Sequence, residues 1–191
     1  MLKAFIQSVR TIMGIGVESI PPIPVDIMYS KVSNNDEIVR SGGNVYYGGS
    51  GNDQIIGSTG NVYYGGPGND QIIGSTGNDT IYDDQGGDDI LYGGAGNDIL
   101  AGGNGNDVLW GGTGADRFVY SSPSEGIDII KDYSYLEGDR ITISKTGFGA
   151  SSTNQFSYNS ITGALFFQGT QFVTLENKPA DFSTNLGIEL V

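Results

Sequence analysis

Residues 44–75 read NVYYGGSGNDQIIGSTGNVYYGGPGNDQIIGS, nearly the same phrase twice at a step of 17 residues. The phrase resolves into nine-residue units. GGSGNDQII begins at Gly48, GGPGNDQII at Gly65, GSTGNDTIY at Gly74, GGAGNDILA at Gly93, GGNGNDVLW at Gly102 and GGTGADRFV at Gly111. A looser copy, DQGGDDILY, begins at Asp84, with Asp83 reading as an inserted residue. Shortened units, RSGGNVYY from Arg40 and GSTGNVYY from Gly57, lack the aspartate, and one long plus one short unit makes the step. KVSNNDEIV, from Lys31, has lost its glycines but keeps Asp36 and Ile38 in phase, as a degenerate terminal coil would.

Each position has a physical reading. Glycine allows a tight turn whose carbonyl oxygens face inward. Asparagine at the fifth position tolerates the left-handed region. The sixth position supplies a carboxylate. The last three residues suffice for a very short strand whose middle side chain faces opposite to its neighbours. Those middle residues, Ile55, Ile72, Ile81, Leu91, Leu100, Leu109 and Phe118, are the expected core.

Two units per coil put the turns in two stacks, one on each edge of a flattened roll. The candidate ligands are aspartate carboxylates with glycine and third-position carbonyls. On one edge these are Asp36, then Gly48, Ser50, Gly51 and Asp53, then Gly65, Pro67, Gly68 and Asp70, then Gly86, Gly87 and Asp89, then Gly102, Asn104, Gly105 and Asp107. On the other they are Gly74, Thr76, Gly77 and Asp79, then Gly93, Ala95, Gly96 and Asp98, then Gly111, Thr113, Gly114 and Asp116, where that column is expected to end. Coils stack about 4.8 Å apart. Two bare carboxylates at that distance repel by about 0.9 kcal/mol in water, and several-fold more near a protein surface. A divalent cation between successive Asp-bearing turns reverses the sign. Calcium fits an oxygen-only, flexible ligand set, whereas magnesium demands a tight octahedron and softer metals want nitrogen or sulfur. The expectation is several Ca2+ ions, one between each pair of stacked Asp-bearing turns, and none between the Asp-less turns at Arg40 and Gly57, which stacking of Tyr46 on Tyr63 would hold instead.

Composition agrees. The 191-residue chain carries 22 acidic and 9 basic residues, a formal charge of −13, with no histidine and no cysteine. Ten aspartates, and no Glu, Lys or Arg, fall between Ser41 and Asp116. Zinc sites, disulfides, thiol nucleophiles and histidine-based triads are excluded, and nucleic acid is a poor partner for so acidic a chain. Leu2, Phe5, Ile6, Val9, Ile12 and Met13 share one face of a short amphipathic helix, and nothing in this segment resembles a membrane span.

GGSGNDQII, GGPGNDQII and GGAGNDILA resemble the repeats-in-toxin (RTX) nonapeptide G-G-x-G-x-D-x-U-x. Residues 114–144 resemble the segment that follows the roll in serralysin-type proteases and alginate epimerase modules, where it becomes a β-sandwich-like cap. The ending Glu189-Leu190-Val191 resembles the uncleaved signal of type I secretion substrates. The resemblance implies an all-β protein: a calcium-stabilised parallel β-roll with a short N-terminal helix and a C-terminal cap. Residues 1–30 would be helix and Pro-rich connector, 31–119 the roll, and 120–191 the cap with its secretion signal. It also implies export of an unfolded chain that folds on extracellular calcium. It carries no catalysis, since the protease's zinc helix requires histidine.

Tyr47, Tyr64 and Tyr82 are expected on one outer face, and Val39, Ile56, Ile73, Tyr92 and Trp110 on the other. They serve either as packing beneath a helix or cap, or as a platform for a polysaccharide or another surface protein. The function readings are a secreted structural, adhesive or surface module and, alternatively, a carbohydrate-binding accessory module for an alginate-like polysaccharide.

Overall fold

Alternation over three residues, with only the middle side chain buried, is enough for a strand only if similar strands lie above and below it. That is how the chain is arranged. The computed structural model describes residues 28–29, 34–39, 45–83 and 85–191. The expected N-terminal helix and the turn at Arg40 lie outside the described residues.

One parallel ladder contains β1 (Met28–Tyr29), β3 (Val45–Tyr47), β5 (Val62–Tyr64), β7 (Thr80–Tyr82), β9 (Ile99–Ala101) and β11 (Arg117–Tyr120). The facing ladder contains β2 (Glu37–Val39), β4 (Gln54–Ile56), β6 (Gln71–Thr76), β8 (Ile90–Ala95) and β10 (Val108–Thr113). Register keeps like with like: Ile55 lies beside Ile72, Ile72 beside Leu91, and Tyr46 beside Tyr63. The middle residues Ile55, Ile72, Ile81, Leu91, Leu100, Leu109 and Phe118 are all buried, joined by Tyr46 and Tyr63. Each is worth about 1.5–3 kcal/mol on burial, and each strand contributes only one, so the core is two columns, one from each sheet.

The parallel coils continue past Val119. β12 (Asp128–Ile130) adds to β10, β13 (Arg140–Ile143) adds to β11, and β17 (Ile188–Leu190) adds to β13. The C-terminal residues therefore lie in the sheet, with the amide of Val191 donating to Ile143 O. Between β13 and β17 run α1 (Lys145–Phe148), a 3-10 turn (Thr153–Gln155), the antiparallel strands β14 (Phe156–Asn159), β15 (Ala164–Phe167) and β16 (Thr170–Leu175), and α2 (Thr184–Gly187). β16 lies parallel to β12, so the meander extends the second sheet. Among the described residues the two sheets have eight and nine strands. Phe148, Phe156, Phe167 and Phe172 form an edge-to-face cluster that reaches Tyr120, and Tyr133 meets Phe182. The end of the two-column core is thereby covered by aromatic side chains.

Candidate metal centre

Two stacks of turns line the edges of the roll. Asp36 and the turns ending in Asp53, Asp70, Asp89 and Asp107 form one, and the turns ending in Asp79, Asp98 and Asp116 form the other. Within each stack every sixth-position carboxylate reaches back one coil. Asp53 Oδ1 accepts from the amide of Asp36 at 2.8 Å, Asp70 from Asp53 at 2.7 Å, Asp89 from Asp70 at 2.7 Å and Asp107 from Asp89 at 2.9 Å. Across the roll, Asp98 accepts from Asp79 at 2.8 Å and Asp116 from Asp98 at 2.8 Å.

The columns run further than the sequence reading has them. Asp128 accepts from the amide of Asp107 at 3.0 Å and Asp139 from that of Asp116 at 2.9 Å. Asp116 therefore does not end its column. Both added residues lie outside any nonapeptide, but Gly126-Ile127-Asp128-Ile129 keeps the Gly-x-Asp-apolar core of GNDI, a signal that could have revealed Asp128.

The fifth-position asparagine has a different job from the one expected. No described Asn has a positive φ; the second-position Ser75 does, at 96°, as do the equivalent Gly66 and Gly94. The Asn side chain instead reaches forward one coil. Asn35 Oδ1 accepts from the amide of Asn52 at 2.9 Å, Asn52 from Asn69 at 3.0 Å and Asn78 from Asn97 at 2.9 Å. Asn and Asp thus clasp adjacent coils in opposite directions.

What remains is one oxygen per aspartate. Oδ2 of Asp53, Asp70, Asp79, Asp89, Asp98, Asp107, Asp116 and Asp128 is buried without a hydrogen-bond partner. A buried carboxylate oxygen left unpaired is costly. Those of Asp53, Asp70, Asp79, Asp98, Asp107 and Asp116 point into a space bounded by the first-position glycine of their own turn. A Cβ added to Gly48 would stand 2.5 Å from Asp53 Oδ2 and 2.6 Å from Gly65 O, and one on Gly93 would stand 2.5 Å from Asp98 Oδ2 and 2.7 Å from Gly111 O. Glycine leaves open a buried cradle where a carboxylate oxygen of one turn and a carbonyl oxygen of the next converge. The third-position carbonyls of Pro67, Ala95, Asn104 and Thr113, and that of Gly86, already accept an amide from the preceding coil. A carbonyl oxygen has a second lone pair, so this leaves them able to ligate. The oxygen-only donor set fits calcium.

Electrostatics point the same way. Burial raises the pKa of Asp70, Asp98, Asp107, Asp116 and Asp139 to about 6, opposed by the amides that they accept. Asp89 is raised to about 7 and Asp128 to about 8, by burial first and by neighbouring carboxylates after it. Asp83 is pushed to about 9, by burial first and then by the carboxylates of Asp89 and Asp70. A cation in the cradles removes the desolvated negative charge that protons otherwise neutralise.

The Asp-less turn at Gly57 is built differently. Asn61 stands at the Asp position and its amide donates to Asp79 Oδ1 at 2.6 Å. The space beside Gly57 holds the ring edge and hydroxyl of Tyr63. Tyr46 stacks on Tyr63 with ring centroids 5.2 Å apart.

Fold and site together define a parallel β-roll whose edges carry oxygen-lined cradles that fit calcium. Residues 39–61, 64–88 and 83–118 match the family model of the RTX calcium-binding nonapeptide repeat, in 4 copies. Those residues carry RTX-type calcium-binding repeats. Among solved structures, it is similar to the AlgE6R3 subunit from the Azotobacter vinelandii mannuronan C5-epimerase, with 25% identity, coverage of 90% of this chain and 86% of that chain, and a TM-score of 0.42. No curated protein matches the chain. No helix among the described residues is long and apolar enough to cross a membrane.

Proposed function

We propose that this chain is a secreted, non-catalytic module whose roll folds when calcium fills the aspartate cradles, and which serves as a structural or adhesive element at a cell surface. The row of buried Oδ2 atoms without a protein partner carries this reading. The ligand set is the turn residues from Asp36 to Asp116 named above, with Asp128 as an addition. Export by a type I system accords with a chain that stays unfolded where calcium is scarce and folds outside, because metal-binding energy is then folding energy. Circular dichroism tests it: in EDTA the repeat tract should be largely coil, and millimolar calcium should restore the β signal. Full β structure in EDTA would sink the reading.

A second reading, binding of an alginate-like polysaccharide, draws support from one outer face. Tyr47 stacks on Tyr64 at 4.9 Å and Tyr64 on Tyr82 at 5.8 Å, and Tyr47 is exposed. Flat aromatic ladders suit sugar rings. Glycan-array binding that disappears in Tyr64→Ala would establish this reading, and no binding by the calcium-loaded chain would remove it.

A further inference from the structure

The coil between Asp70 and Asp89 is longer than its neighbours, and Asp83 lies within it. Although Asp83 reads in the sequence as an insertion, the ladder gives it a regular place. Its amide donates to Ala101 O at 2.8 Å, as that of Gly48 does to Tyr64 O and that of Gly65 to Tyr82 O. Tyr82 lies beside Ala101, so Asp83 stands over Gly65 and under Gly102, in the position that first glycines hold in the adjoining coils. The extra residue lies later in the turn.

A carboxylate here enters the space that glycine leaves open. Asp83 is fully buried. Its Oδ1 accepts from the amide of Gly66 at 3.1 Å. Its Oδ2 has no hydrogen-bond partner, nor do Asp70 Oδ2 and Asp89 Oδ2. One ligand oxygen from each of the three residues lies within 4.8 Å of the others. No lysine or arginine occurs between Ser41 and Asp116 to neutralise them. Asp132 makes the contrast. It holds the equivalent place beside Gly111, yet its two oxygens accept from the amides of Gly111 at 3.0 Å and Gly112 at 2.9 Å. Asp132 caps two amides; Asp83 keeps one oxygen aimed at two other carboxylates.

We propose that Asp70, Asp83 and Asp89 form a three-carboxylate calcium site, distinct from the two-carboxylate cradles along the rest of the roll, and that it fills first. This rests on the calcium reading above. Calcium affinity follows the number of charged ligands, and a third carboxylate at one cradle singles it out by about tenfold or more. The first ion then clamps the roll at the coil where the repeat is interrupted, and the coils on either side are completed at higher calcium.

Competition titration of the full chain against a chromogenic chelator, with bound calcium counted, tests this. One equivalent per chain should bind about tenfold or more tighter than the rest. Asp83→Gly, which restores the residue found at Gly65 and Gly102, and Asp83→Asn should each lose that tight equivalent yet fold in saturating calcium. Asp132→Gly should keep it. Uniform affinity in the parent chain, or a tight equivalent surviving both Asp83 variants, overturns the three-carboxylate site and leaves the calcium roll standing. No calcium bound by the parent chain overturns both.

Discussion

The Tyr63 hydroxyl donates to the carbonyl of Gly74 at 3.1 Å, from a position where it also accepts from Asn61 Nδ2 at 2.9 Å. Gly74 opens the turn above, and first-glycine carbonyls elsewhere, such as those of Gly65 and Gly111, face an aspartate Oδ2 across a cradle. At the Asp-less turn a tyrosine therefore fills the cradle from the core side and satisfies the carbonyl directly. Tyr63→Phe should lower stability in saturating calcium by about 1–3 kcal/mol, the cost of a buried polar group left unpaired. The number of bound ions should not change. Denaturant unfolding alongside calcium counting checks both, and loss of one ion would show that this turn holds calcium after all.

Asp139 ends its column differently from Asp98. Its Oδ1 accepts from Asp116 and its Oδ2 from the amide of Ser134 at 2.8 Å. With both oxygens occupied it acts as a cap. Asp139→Asn places an amide NH2 against one of those donors and should cost about 1–3 kcal/mol at unchanged calcium stoichiometry. Asp98→Asn, which alters an Oδ2 facing a cradle, should instead reduce the ions bound. Equal stoichiometry in the two variants would contradict this division.

The roll was legible because its signal repeats. Middle residues such as Ile72 and Leu91 keep phase with an aspartate through every nine-residue unit, and stacking similar units leaves little freedom in register. The sequence did not reveal what depends on contacts between coils. Asn52 looks like a turn former, yet its oxygen is used one coil away. Asp83 looks like an insertion because position is counted along the chain, whereas its place is set by Ala101 in the coil above. Asp128 and Asp139 escaped because their turns lack the paired glycines. The cap packs through single-use contacts such as Tyr133 on Phe182, which no periodicity announces.

Proton linkage gives a pH signature. In the ion-free roll, Asp70, Asp98, Asp107 and Asp116 titrate near 6, Asp89 near 7 and Asp83 near 9, against 3.8 for an ordinary aspartate. The folded form holds more protons than the unfolded form between these values, so its stability falls as pH rises. The contribution is complete below about pH 4, mostly lost by pH 6, and lost for Asp83 only near 9. In EDTA, acidification from pH 7 towards 4 should therefore increase β signal. An ion-free roll that gains structure as pH rises would reverse the sign and refute the linkage.

The sharpest test of the cradle is a single methyl group. Gly93 does not have a positive φ, so alanine is compatible with its backbone. The added Cβ would nevertheless stand 2.5 Å from Asp98 Oδ2 and 2.7 Å from Gly111 O, in the space between them. Gly169 provides the contrast: its φ of 89° strains any side chain, but a Cβ there would meet nothing within 4 Å. Gly169→Ala should cost about 1–2 kcal/mol from backbone strain, with calcium stoichiometry and midpoint unchanged. Gly93→Ala should lose one bound ion and move the calcium midpoint of folding upward. Titrations of the two variants followed by circular dichroism, with bound calcium counted at saturation, separate strain from obstruction. If Gly93→Ala binds as many ions as the parent chain, the space between Asp98 and Gly111 is not where the ion sits.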